Sequence, residues 1–125
     1  MSYIDVKIEN SLMIVNATGE LTADEVISVV NEHYPSGVFK DVIWDLTHGT
    51  LQKISREGFA AIARATKKSL AGGARQGGKT AYVADKASEY GLMRMYTFIA
   101  DMEGVPVDYH VFNTVQEARY WIENN

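Results

Sequence analysis

From Asp41 onward, short apolar runs alternate three times with helix-periodic segments, and this rhythm constrains the fold more than any other feature. DVIWDL (41–46), KTAYVAD (79–85) and VDYHVFN (107–113) have strand length and are rich in β-branched and aromatic residues. Each precedes a stretch whose apolar residues recur at helical spacing. Strands separated by helices need crossover connections, so they build a parallel sheet with helices on its faces. DVIWDL is almost continuously apolar, the pattern of a central strand buried on both sides. Upstream, YIDVKI (3–8) and LMIVNATG (12–19) flank Asn10-Ser11 and read as a hairpin. The expected order is β-β-α-β-α-β-α-β-α. This is a single α/β domain over residues 1–125, with a central, mostly parallel sheet, an N-terminal hairpin and about four covering helices.

The helix starts are signed. Thr22 with Glu25, and Thr114 with Glu117, are capping boxes, in which each side chain satisfies the other residue's backbone N–H. Ser55 is the N-cap expected for REGFAAIARATKKSL, which turns Phe59, Ile62, Ala63, Thr66 and Leu70 inward and keeps Arg64, Lys67 and Lys68 on or near its polar side. Val26, Val29, Val30 and His33 share one face of the first helix, which Pro35-Ser36-Gly37 ends. The third helix is expected from about Ser88 to Glu103. The last buries Val115, Ala118 and Ile122.

GARQGGKT (73–80) matches the phosphate-binding pattern G-x-x-x-x-G-K-[ST]. The chemistry of that loop needs a strand before it and a helix opening at its lysine, so that backbone amides and the helix dipole face the phosphates. Here a helix precedes and a strand follows, so no nucleotide site is expected. Gly72 and Gly73 suit a helix C-terminus, Gly77 and Gly78 a flexible lead into the strand, and Lys79 a strand start. The nucleotide reading would also need a magnesium-binding aspartate at the end of another strand, and Asp45, after VIW, is a candidate.

Composition excludes several other classes. The chain lacks cysteine, so disulfides, thiolate catalysis and cysteine zinc sites are ruled out. Its net charge of −4 argues against general nucleic-acid binding. No apolar run approaches the ~20 residues of a membrane span. The opening MSYIDVKIEN has neither the basic start nor the apolar run of a secretory leader, and a bacterial-type cytoplasmic location is expected. Charge is unevenly placed: residues 51–80 carry seven basic side chains against Glu57, a net +6, and the remainder carries −10. Such a segment is either a solvated face or a surface for an anion or acidic partner.

Asp45, Thr47, His48 and Ser55 come from one strand–loop–helix connection, and Asp85, Lys86 and Ser88 from the next. Both connections lie at the carboxyl end of a strand, where open α/β sheets gather ligands. Ser55, His48 and Asp45 can be written as a hydrolytic triad, but no nucleophile elbow accompanies them. His33 reads as a packed or boundary residue. No spacing of carboxylates and histidines matches a metal motif, and no cofactor is expected. In YGLMRMYTFIADME, Leu92, Met95, Tyr96, Ile99 and Met102 form an apolar stripe that Met93 and Phe98 widen beyond an ordinary core-facing band. The helix is either packed on two sides or offers a Met-rich surface to a subunit, partner or apolar ligand.

VIWDLT, KTAYVADKASEYGLMRMYTFIA and VDYHVFNTVQEARYWI together resemble the SpoIIAA-like family of the STAS/SEC14-type fold, over nearly the whole chain. That resemblance implies partner switching of the anti-sigma-factor-antagonist kind. There, a serine in Asp-Ser-Ser-Gly at the start of the helix after the central strand is phosphorylated, which changes charge and docking. Aligned on Gly58, this chain reads Ser55-Arg56-Glu57-Gly58, with Ser55 on the Asp position and Glu57 on the phosphoacceptor position. The resemblance therefore implies a non-enzymatic interaction or regulatory module without the usual acceptor serine. Its surface would include Thr47, His48, Ser55, Arg56, Glu57 and Asp85 together with the Met-rich helix, and its partner would be an unidentified protein, with a homodimer as one form of assembly. The SEC14 side of the resemblance implies the alternative, an apolar-ligand or lipid-binding protein. Tyr90, Met93, Tyr96 and Phe98 would then form the mouth or wall of its pocket, with the basic segment receiving an anionic headgroup.

Overall fold

The structure, a computed structural model, describes residues 2–124. β1 (Ser2–Glu9) and β2 (Leu12–Glu20) form an antiparallel hairpin that turns on Asn10 and Ser11, with φ of 50° and 67°. Two left-handed residues in a row are what a tight hairpin turn needs to match strand twist. The chain continues through α1 (Ala23–His33), β3 (Asp41–Thr50), α2 (Arg56–Ser69), β4 (Lys79–Val83), α3 (Ala87–Glu103), β5 (Asp108–Phe112) and α4 (Val115–Glu123). The sheet runs β1-β2-β3-β4-β5, with every pair after the first parallel. Each crossover steps one strand in the same direction. Right-handed crossovers then bring α1, α2 and α3 to one face.

The two faces bury different sets. Met13, Val15, Val42, Trp44 and Leu46 of the sheet pack with Val26, Val30, Phe59, Ile62, Met93 and Tyr96 of α1 to α3. Leu12, Ile14, Ile43, Ala81 and Val83 pack with Ala118 of α4. β3 serves both faces, with Ile43 on one side and Val42, Trp44 and Leu46 on the other. This is the period of two acting on a strand covered twice, as DVIWDL predicted. Phe59 is 1% exposed, and truncating such a residue to alanine costs about 3–5 kcal/mol.

Three cap expectations hold: Thr22, Ser55 and Thr114 each accept the backbone N–H three residues on. Two expectations need correction. β3 continues to Thr50, because after an irregularity at Asn16/Thr18 it pairs Thr18–Glu20 with His48–Thr50. Thr47 and His48 are therefore strand residues, not loop residues. The apolar face of α3 is also rotated from the predicted stripe. Glu89, Met93, Tyr96, Ile99 and Ala100 are buried, whereas Met102 and Phe98 are 71% and 72% exposed. Apolar residues ring this helix, so periodicity alone does not fix which side meets the sheet. No helix among the described residues is long and apolar enough to cross a membrane.

Candidate functional site

GARQGGKT folds as the order of elements required. α2 ends at Ser69, Gly73 adopts φ 94°, and Lys79 opens β4. The two cations of this stretch are used inside the protein. Arg75, 4% exposed, donates from Nε to Lys40 O at 2.9 Å and from Nη2 to Lys79 O and Thr80 Oγ1 at 2.9 and 2.7 Å. Its guanidinium lies 4.8 Å from the centre of the Tyr34 ring. Lys79 Nζ donates to Trp121 O at 3.0 Å, near the carboxyl end of α4, where a cation complements the dipole. A Cβ at Gly78 would fall 2.2 Å from Lys40 O, so the backbone approach that seats Arg75 requires glycine there. Four of the seven basic side chains of the +6 segment are thus engaged within the protein. Besides Arg75 and Lys79, Lys53 pairs with Glu20, and Arg64 with Glu57 and Glu103.

The polar residues at the carboxyl end of the sheet gather without forming a catalytic relay. Thr47 donates from both its amide and its hydroxyl to Asp45 Oδ1, at 3.1 and 2.7 Å. His48 Nδ1 lies 3.3 Å from the Thr47 hydroxyl, not from the Asp45 carboxylate. The Ser55 hydroxyl accepts the Gly58 amide at 3.0 Å as a helix cap. A triad needs the carboxylate on the imidazole and the imidazole on the serine; neither contact is made. Lys86 Nζ reaches Thr47 O at 3.1 Å and Asp85 at 3.9 Å, which joins the β3 and β4 connections into one exposed polar rim. Ser55, Arg56 and Glu57 form the exposed first turn of α2, and the Glu57 side chain is 84% exposed. A Cβ at Gly58 would meet Ile54 Cγ2 at 3.1 Å and Ala23 Cβ at 3.3 Å, so this turn is held tightly against α1.

Glu89 organises this end of the molecule, and sequence reasoning passed over it. Its side chain is buried and accepts from the Leu51 amide at 2.7 Å, Gln52 Nε2 at 2.8 Å, Thr50 Oγ1 at 3.2 Å and Ser88 Oγ at 3.3 Å. Burial pushes the carboxyl up, but the hydrogen bonds from Gln52, Leu51, Thr50 and Ser88 outweigh it and hold the group below its ordinary value. One carboxylate thereby ties the start of α3 to the segment that leads from β3 into α2. The available signal was a glutamate in the first turn of a helix, which dipole compensation alone already accounts for.

Met93 and Tyr96, predicted as part of a ligand or partner surface, are core residues at 3% and 2% exposure. They do line a cavity, with Leu21, Trp44, Phe59 and Tyr82 among its other walls, but its volume is about 30 Å³. A water occupies ~10–15 Å³ on that measure, and drug-sized ligand sites span ~300–1,000 Å³. The cavity has no room for an acyl chain. Tyr96 meets Tyr82 and Tyr109 edge-on at 5.7 and 6.2 Å, and Tyr82 stacks on Tyr109 at 6.0 Å, so aromatic rings fill the space instead. Tyr90 and Phe98 lie elsewhere. The Tyr90 hydroxyl reaches Val111 O at 3.4 Å, and Phe98 faces outward. Among the described residues, no group of three or more His, Asp or Glu side chains is placed to hold a metal ion.

No protein-family model matches this chain, and no curated protein matches it. Solved structures do. An anti-sigma factor antagonist from Mycobacterium paratuberculosis superposes with a TM-score of 0.68 at 15% identity, covering 99% of this chain and 96% of that one. The anti-sigma factor antagonist SpoIIAA in its unphosphorylated form gives 0.60 at 11% identity, with 98% and 100% covered. An uncharacterized DUF3478-family protein with a SpoIIAA-like fold, from Shewanella loihica, gives 0.55 at 15%, with 97% and 93% covered. The chain has the SpoIIAA/STAS fold over its whole described length, as its motifs implied.

Proposed function

We propose that this chain is a non-enzymatic, STAS-like regulatory module that docks a protein partner on the rim where α2 begins. The observation that carries this reading is the position of Ser55-Arg56-Glu57. It is the exposed first turn of α2, on a fold shared over 98% or more of the chain with two anti-sigma factor antagonists. The resemblance gives that turn to a phosphoacceptor serine. Here Glu57 supplies a permanent carboxylate, so docking is not gated by phosphate at that position. The Ser55 hydroxyl is engaged as a cap, and Asp45 and His48 meet only through the Thr47 hydroxyl, with Ser55 apart from both, which favours binding over catalysis. The small volume of the internal cavity gives the lipid-carrier alternative no support.

Site-specific photo-crosslinking in the native host tests this. A photoreactive residue in place of Arg56 is expected to capture one discrete protein. The same probe in place of Glu123, at the far end of α4, is expected not to, and Glu57→Lys is expected to abolish capture at position 56. Equal capture at both positions, or none at position 56, would sink the proposal.

A further inference from the structure

The face formed by α3 and β5 carries an inference that is separate from the rim at α2. β5 is an edge strand. Asp108 N donates to Gly78 O and Phe112 O accepts from Ala84 N, so 108, 110 and 112 bond inward to β4. The alternation of a strand then points the amides and carbonyls of Tyr109 and Val111 outward. The Tyr90 hydroxyl reaches Val111 O at 3.4 Å and His110 Nδ1 lies 3.3 Å from Tyr109 O, but a carbonyl has two lone pairs, so the edge still offers a template for another strand. Above this edge lies the flank of α3 formed by Tyr90, Arg94, Thr97 and Asp101, which borders β5 along two shallow grooves of about 300 and 400 Å³. Phe98, 72% exposed, caps the flank.

We infer that the occupant of this face is a second copy of the chain, joined edge to edge through antiparallel β5 strands with the two α3 helices side by side. Two features converge on a self-complementary dock. Arg94 and Asp101 are both exposed, carry opposite charges two helical turns apart on one flank, and make no ion pair among the described residues. A two-fold axis near Thr97 sets Arg94 of each copy toward Asp101 of the other, which is the i-to-j, j-to-i pattern of an isologous interface. The spacing also fits. Tyr96 packs on both Tyr82 of β4 and Tyr109 of β5, so α3 lies over the gap between these strands. With strands ~4.8 Å apart, joining two β5 edges brings the helix axes to about 10 Å, the distance at which helices pack.

Sedimentation equilibrium on the full chain, with circular dichroism as a folding control, tests the dock. The wild type is expected to dimerise. Phe98→Asp, Arg94→Asp and Asp101→Arg should each raise the dimer dissociation constant about ten-fold or more. The double exchange Arg94→Asp with Asp101→Arg should restore it, because the charges still oppose. All three positions are exposed, so these variants keep the fold. A monomeric wild type, a dimer indifferent to Phe98→Asp, or a double exchange no better than the single ones would overturn the proposal.

Discussion

The Glu89 carboxylate accepts the Leu51 amide at 2.7 Å, across 38 positions of sequence. That bond, with those from Thr50, Gln52 and Ser88, anchors the chain just before it enters α2, and so positions the turn read here as the docking surface. Glu89→Ala leaves a buried amide without its acceptor, a loss of about 1–3 kcal/mol. The expected outcome in urea unfolding is a lower midpoint at neutral pH with native far-ultraviolet dichroism retained.

The same group gives a pH dependence with a defined sign. Hydrogen bonds hold its folded pKa below the ordinary value, so its contribution is fully present above the unfolded pKa and lost as pH falls through the folded one. Wild-type stability is therefore expected to drop more steeply below pH ~4 than that of Glu89→Gln. Parallel acid profiles of the two proteins would remove Glu89 as the cause.

Arg75 is expected to behave as a structural pin. Its bonds to Lys40 O, Lys79 O and Thr80 Oγ1 are charge-assisted, and losing such bonds costs about 1.5–3 kcal/mol each before any relaxation. Arg75→Leu should destabilise strongly. Arg75→Lys should recover only part of the loss, since an ammonium lacks the planar fork that reaches the three acceptors. Chemical denaturation of the three proteins measures this.

Lys79 distinguishes a phosphate loop from its look-alike. The wild-type chain is expected to show no saturable ATP binding by calorimetry. Lys79→Ala should change only stability, through the lost contacts to Trp121. Saturable binding that Lys79→Ala removes would contradict the assignment of this segment to a helix end and a strand start.

Burial pushes the phenols of Tyr34, Tyr82, Tyr96 and Tyr109 above their ordinary value, so the folded protein favours their neutral forms. Their contribution is present below the unfolded pKa and is lost as pH rises beyond it. In an alkaline titration followed by tyrosinate absorbance, four of the seven tyrosines are expected to ionise only as the chain unfolds.

Much of the fold was legible because its signals are local. Thr22, Ser55 and Thr114 announced helix starts through chemistry confined to four residues, and DVIWDL showed its double burial by composition. What stayed hidden depended on contacts distant in sequence. The extension of β3 through Thr47 and His48 comes from pairing with β2, and the burial of Glu89 comes from a loop 38 positions away. Arg75 looked like a surface cation because its acceptors are mostly backbone carbonyls, which leave no trace in composition. Met93 and Tyr96 were grouped with Phe98 because α3 is apolar nearly all round, and only the sheet decides which side is core. Ser55, Arg56 and Glu57 were placed correctly at the exposed start of α2, since an N-cap fixes a helix start to the residue.

The claim that Glu57 belongs to a docking surface is tested most directly by affinity. The quantity is the dissociation constant of the partner captured at position 56, measured by calorimetry against the wild type, Glu57→Gln and Glu57→Lys. Glu57 makes one exposed ion pair with Arg64, which is worth little to folding, so all three proteins should melt alike. The expected result is an affinity weakened by Glu57→Gln and weakened further, about ten-fold or more, by Glu57→Lys. Equal affinity across the three would contradict the account.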